Sequence, residues 1–172
     1  DDVGCLVVPF DGYHYPKSVL ESFPNSDDVI YRRGAPDTFD ASALERDLRC
    51  IRDGNEDVVK VPGFDHAAGD PEADAYTFSR STHKVVICEG LYLLHDEDGW
   101  ESFAKSQLFD LSIFVKADVD SCIDRLKIRN KCIPGYTPEE IDIRCDKVDR
   151  TNALIVEKSQ KNADIVVQSV AM

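Results

Sequence analysis

Val85-Val86-Ile87-Cys88-Glu89-Gly90 holds four apolar residues, three of them β-branched, that run straight into an acidic residue and a glycine. The run is too short for a helix and lacks polar alternation, so it reads as a strand buried on both faces. Cys5-Leu6-Val7-Val8, ended by Pro9, has the same character, and so has Val58-Val59-Lys60-Val61, closed by Pro62-Gly63. Leu111 to Val115 and Ile165 to Val167 add two more strands downstream.

Helical patterns separate these runs. Asp40 is placed to cap a helix in which Leu44, Leu48 and Ile51 recur at helical spacing, with Gly54 as its stop. Asp118 is placed to cap another through Val119, Ile123 and Leu126. Thr137-Pro138-Glu139-Glu140 combines a Thr cap, Pro at the first position and Glu at the third, and predicts a helix to about Ser159. Between about Asp65 and Ser81 polar and small residues dominate, which predicts a loop or excursion. Buried strands alternating with amphipathic helices make the fold class α/β, a parallel sheet with helices on both faces. The 172 residues suit one domain, with no internal repeat and no linker-like tract.

Charge narrows the partners. With 33 acidic against 20 basic side chains the formal charge is −13. Such an excess repels phosphate backbones and anionic lipid, so neither nucleic acid nor a membrane is an expected partner. No apolar run approaches the ~20 residues that cross a bilayer. The chain opens Asp1-Asp2-Val3-Gly4, without a basic, apolar leader and without methionine, as in a processed or partly represented chain. Six widely spaced cysteines form no C-x-x-C pair, which favours a reducing intracellular, cytoplasmic setting with organelles left open. Cys5 and Cys88 lie in apolar runs, as small core hydrophobes do.

In open α/β sheets ligands bind beyond the carboxyl ends of the strands. Three strands here run into polar residues that packing does not explain: Asp11-Gly12-Tyr13-His14, Phe64-Asp65-His66 and Glu89-Gly90. If the strands are adjacent, Asp11, His66 and Glu89 converge. Singly, each has a plainer reading as turn, loop histidine or helix cap. Arg32-Arg33 beside Gly34 offers two planar donor forks for carboxylate or phosphate, or a solvated pair that offsets acidity. Arg125 and Arg129, four apart on one helix face, begin a basic stretch continued by Lys131, Arg144, Lys147 and Arg150. That stretch suits a polyphosphate, or pairing with Asp118, Asp120, Asp124, Glu139 and Glu140. His95-Asp96-Glu97-Asp98-Gly99 lacks the alternate-ligand spacing of a cation loop.

Together these segments resemble the P-loop kinases of the phosphoribulokinase/uridine kinase family, in its pantothenate-kinase-like and nucleoside-kinase-like branch. The resemblance rests on Val8-Pro9-Phe10-Asp11-Gly12-Tyr13-His14, Arg32 to Asp40, Pro62-Gly63-Phe64-Asp65-His66-Ala67, Val86 to Leu94, and Phe109-Asp110-Leu111, in register over nearly the whole chain. It implies an ATP- and Mg²⁺-dependent transfer of phosphate to the hydroxyl of a small metabolite such as a nucleoside, a sugar or a pantothenate-like compound. Asp11 matches the family's catalytic carboxylate. Tyr13, His14, Arg32, Arg33, His66 and Tyr92 match positions that line the acceptor pocket. Glu89 matches the acidic residue near magnesium or its waters. Arg125 and Arg129 match lid arginines within a helix–loop–helix spanning about 125–150. Asp149 and Asn152 keep part of an Asn-Asp-x-x-Asn pattern whose first position is Val148 here.

The phosphate loop itself is missing from these residues. None of the nine glycines precedes a lysine, so no Gly-x-x-x-x-Gly-Lys-Ser/Thr cradle exists in 1–172. The family places that strand upstream of Asp11, so upstream residues are expected; divergence is the other explanation. The alternative function is a catalytically inactive kinase-fold protein kept as a binding or assembly subunit.

Overall fold

The structure is a computed structural model and describes residues 4–105, 108–132 and 135–169. The chain divides into two compact units, Asp1–Leu108 and Phe109–Met172. No helix among the described residues is long and apolar enough to cross a membrane.

The first unit opens with strand β1 (Gly4–Pro9) and a 3₁₀ turn over Phe10–Tyr13. Helices α1 (Lys17–Leu20) and α2 (Ser26–Tyr31) follow, then a second 3₁₀ turn at Pro36–Thr38 and helix α3 (Ala41–Asp53). Strands β2 (Val58–Asp65), β3 (Asp70–Ser79) and β4 (His83–Glu89) lead to α4 (Glu101–Lys105). β1 and β4 are parallel, with Val8 opposite Cys88 and Pro9 opposite Glu89, so both strands end at one level.

α3 forms where the spacing predicts it. Leu44, Leu48 and Ile51 are buried. The Asp40 carboxylate accepts from the Ala43 amide at 2.9 Å, and Gly54 closes the helix at φ 58°. Arg80 donates to the terminal Ile51 carbonyl at 2.9 Å, supplying a cation where the helix dipole is negative.

Two expectations change. The stretch read as a loop is largely β3, which forms an antiparallel hairpin with β2. Its residues are mostly exposed on both sides, with Phe78 the buried one, so no apolar alternation marks it as a strand. Burial of the parallel strands on both faces is also not seen. Leu6, Val8, Val86 and Cys88 face inward to different degrees, whereas Cys5 is exposed and Val7, Val85 and Ile87 are 44–49% exposed. Cys5 is therefore not a core residue. All six cysteines are free thiols.

The second unit pairs β5 (Ile113–Lys116) in parallel with β6 (Ile165–Gln168). Helix α5 (Val119–Asn130) starts at Asp118, whose carboxylate accepts from the Ser121 amide at 2.9 Å. Helix α6 (Pro138–Arg144) has the full capping box of Thr137 and Glu140. A π-helical turn, Cys145–Asp149, joins α6 to α7 (Arg150–Ser159), so the expected single helix carries a one-turn irregularity. Ile123, Ile141 and Cys145 make the core, flanked by Val119 and Leu126. Val148 is buried, which accounts for an apolar side chain at that position.

Candidate active site

Parallel pairing of β1 with β4 sets the site. Asp11 lies two residues beyond Pro9, the partner of Glu89, so both carboxylates emerge at the same sheet end. Partial desolvation raises the Glu89 carboxyl above its ordinary value, and the nearby charge of Asp11 raises it further. The predicted meeting of these two residues is therefore seen.

Close backbone approach holds the turn in place. A Cβ on Gly12 would sit 2.5 Å from the Pro62 carbonyl oxygen, so the Asp11 turn rests directly on β2. A Cβ on Gly90 would sit 2.5 Å from the Phe10 ring, which is itself buried. Glycine at both places lets the turn and the end of β4 close on one another.

An aromatic pile continues from there. Phe10 stacks on Phe39 at 4.3 Å between ring centres, and the His14 ring lies 3.9 Å from Phe39 and 5.0 Å from Phe64. His66 is exposed on the hairpin turn, its ring 5.2 Å from Phe64. Asp11, His14, Phe64 and His66 thus form one continuous rim, although β2 reaches it through the hairpin and not as a neighbour in the β1–β4 sheet. His14 Nδ1 lies 2.9 Å from the Asp11 carbonyl oxygen, which can only accept, so Nδ1 carries the proton. Burial holds the His14 imidazole below its ordinary pKa.

The remaining expected residues have protein partners. The Tyr13 hydroxyl donates to Asp47 on α3 at 3.0 Å, and burial and then Asp47 push its pKa up. Tyr92 is fully buried and its hydroxyl donates to the Gly34 carbonyl at 2.6 Å. Arg32 binds both Asp28 and Asp37. Its hydrogen bonds to Asp37 hold that carboxyl below the usual range. Arg33 donates to the Gly69 and Tyr15 carbonyls and to Asp70 at 2.8 Å, with its guanidinium 5.7 Å over the Phe64 ring. Lys17 joins this group: its backbone amide donates to Asp70 at 3.0 Å and its Nζ to the Ala68 carbonyl at 2.7 Å. The hairpin turn carrying His66 is thereby latched at three points.

Lys17, Asp70, Phe39 and Phe64 enter the site without having been singled out from the sequence. Phe39 and Phe64 lay within the quoted stretches, but nothing in their spacing told a stacking partner from a core residue. Arg125 and Arg129 lie exposed on α5 in the second unit, donating to Cys122 Sγ and Asn130 Oδ1 at 3.2 and 3.3 Å. The neighbouring cations Lys127 and Arg150 pair with Asp146 and Asp120 instead, at 2.7 and 2.5 Å.

The carboxylate pair at the carboxyl ends of the paired parallel strands β1 and β4 lies where open α/β sheets bind their ligands. The family model described as Phosphoribulokinase / Uridine kinase family matches residues 25–172, and the chain belongs to that family. A Schizosaccharomyces pombe protein provisionally named a uridine kinase is 31% identical over 169 residues, covering 96% of this chain and 70% of that one. The ATP-dependent kinase-like protein notR′ of Aspergillus versicolor is 36% identical over 132 residues, covering 75% and 74%. Among solved structures, a protein of Silicibacter sp. TM1040 provisionally titled a fructose transport system kinase superposes with TM-score 0.82 at 28% identity, covering 96% of this chain and 75% of that one. The fold of YFH7 from Saccharomyces cerevisiae matches with TM-score 0.83 at 24% identity, with 59% of that chain covered.

Proposed function

We propose that the protein is an ATP-dependent phosphotransferase whose acceptor is the hydroxyl of a small metabolite. The observation that carries this is the Asp11–Glu89 pair at the matched ends of β1 and β4, beside an aromatic rim. Asp11 accepts the acceptor's hydroxyl proton as that oxygen bonds to the γ-phosphorus, while the bond from phosphorus to the bridging oxygen breaks and ADP leaves. Positioning supplies most of such a rate enhancement, and the pinned Asp11 turn is suited to it.

Two carboxylates at one sheet end, where desolvation and then the Asp11 charge raise the Glu89 carboxyl, fit a divalent cation, which relieves their repulsion. Among the described residues no group of three or more His, Cys, Asp or Glu assembles to hold a metal alone. Glu89, directly or through water, would therefore hold Mg²⁺ together with the phosphates. The bound ion supplies charge neutralisation on the triphosphate. Arg125 and Arg129, exposed and outside carboxylate pairs among the described residues, are the proposed lid arginines.

Steady-state assay of the native protein with MgATP and a panel of hydroxylated metabolites tests the proposal. Turnover with at least one is expected, and Asp11→Asn is expected to lower kcat by about 10²–10⁴-fold, the usual worth of a positioned proton acceptor, without loss of folding. A second reading, a kinase-fold binding subunit, rests on Val148, which stands where the family's Asn-Asp-x-x-Asn pattern has its first Asn. MgATP titration separates the two: micromolar affinity supports the enzyme, and no binding supports the subunit.

A further inference from the structure

We infer that the tip of the β2–β3 hairpin, residues 63–72, is a hinged flap of the acceptor rim, and that Asp70 is the positioning residue whose carboxylate pins it there; this deepens the phosphotransferase reading and rests on it. The ladder of the hairpin is broken just before the tip. Val58 to Val61 pair in register with Ser79 to Tyr76, but Gly63 next pairs with Glu72. Across the break Pro62 alone stands against Ala73, Asp74 and Ala75, and Asp74 is held in the left-handed region at φ 57°. Pro62 has no amide hydrogen to give the ladder, and neither has Pro71 within the tip. Beyond the break the tip keeps the pairs Gly63–Glu72, Phe64–Pro71 and Asp65–Asp70, the last setting two carboxylates opposite one another. So short a ladder, entered through an irregular turn of backbone, leaves the angle of the tip to be set from outside the hairpin.

The shape of the turn is a local matter. Asp65 Oδ1 accepts from the Ala67 and Ala68 amides at 2.8 and 3.1 Å, and the Gly69 amide donates to the Asp65 carbonyl at 2.7 Å. Its placement is not local. Asp70 Oδ1 accepts from the Lys17 amide at 3.0 Å and from Arg33 Nη2 at 2.8 Å, and these partners lie 53 and 37 residues away in the chain. Lys17 Nζ and Arg33 Nη1 reach the Ala68 and Gly69 carbonyls from the same side. One carboxylate thus ties the tip both to the start of α1 and to the segment after α2, with a charge-assisted bond among its ties. Held in this way, the tip sets the Phe64 ring 5.0 Å from His14 and the His66 ring 5.2 Å from Phe64, beside the Asp11 turn. Asp70 acts on the acceptor through Phe64 and His66.

The test compares native protein with Asp70→Ala and Asp70→Asn, by NMR and by kinetics. In Asp70→Ala the cross-relaxation between the Phe64 and His14 rings is expected to vanish and the Lys17 amide to exchange about tenfold faster, the worth of one hydrogen bond to a charged group. Asp70→Asn, which keeps an oxygen for the Lys17 amide, is expected to fall between. With MgATP and uridine, fructose or glycerol as acceptor, Asp70→Ala is expected to raise the acceptor KM about tenfold and to leave the ATP KM within about twofold. A mere loss of folded protein would lower kcat and move neither KM. Ring contact and Lys17 exchange that match the native protein overturn the inference, as does a lost contact with an unchanged acceptor KM. Should Asp70→Ala fail to fold, Lys17→Met, which changes an exposed side chain and drops only its bond to Ala68, decides by the same measurements; a weakened ring contact and an acceptor KM raised about threefold are expected, and no change overturns the inference. If the native protein turns over none of the three acceptors, the phosphotransferase reading fails separately, and ring contact and amide exchange decide whether Asp70 pins the flap.

Discussion

Glu89 and Asp11 share one patch of field, and the consequence can be read residue by residue. Desolvation and then the Asp11 charge raise the Glu89 carboxyl in the folded protein above its ordinary value of 4.5. The folded state therefore binds more protons than the unfolded chain above that pH. Stability contributed by this group falls as pH rises from the unfolded value through the raised folded one, and it is unaffected well below both. Carbon-detected NMR titration is expected to show the Glu89 midpoint moving down in Asp11→Asn, because one of its two raising causes is removed. A midpoint that stays put would mean the two carboxylates do not face each other. His14 acts with the opposite sign. Its pKa is lowered from 6.5 by burial, so the stability it contributes is present above that value and is lost as pH falls through it.

At the scale of elements, close approach and capping decide what the chain tolerates. Gly12→Ala sets a methyl 2.5 Å from the Pro62 carbonyl, and Gly90→Ala sets one against the Phe10 ring. Neither neighbour is the free end of a flexible side chain. Each substitution is expected to cost about 1–3 kcal/mol in denaturant unfolding, the usual cost of overpacking, and to lower activity through the Asp11 turn. A change near zero would show the turn to be loosely seated. Thr137→Ala removes the hydroxyl that accepts from the Glu140 amide, leaving the Thr137 backbone amide on the Glu140 carboxylate, and is expected to cost about 1 kcal/mol, with faster amide exchange confined to the start of α6. An unchanged unfolding midpoint would contradict that.

These same elements show why some of the fold was legible and some was not. β4, β1 and α3 announce themselves because their side chains answer to one rule each: an unbroken apolar run, or a 3.6-residue repeat with a cap. β3 obeys neither, since a hairpin strand with solvent on most of its surface needs no apolar alternation. Its identity comes from pairing with β2, a long-range fact absent from its own sequence. The π-helical turn at Cys145–Asp149 is similarly silent, because burial of Cys145 and Val148 on one side emerges only in the packed helices.

Over the whole molecule, the site follows the same division. Asp11 and Glu89 were legible because parallel strands of matched length deliver their last residues to one end, so a motif at each strand end implies proximity. The arginine pair was legible as a charge feature but not in its use. Arg32 and Arg33 are separated from Asp37 and Asp70 by turns whose geometry decides which acid each meets, and local spacing does not encode it. The aromatic pile on His14 draws on Phe10, Phe39 and Phe64 from three separate segments.

Transfer of radiolabel from the γ-phosphate of ATP to a hydroxylated acceptor, measured side by side for the native protein and Asp11→Asn at equal folded concentration, tests the central assignment most directly. Native protein is expected to label an acceptor, and the variant to do so about 10²–10⁴-fold more slowly while binding nucleotide with unchanged affinity. Equal rates from the two proteins would contradict it.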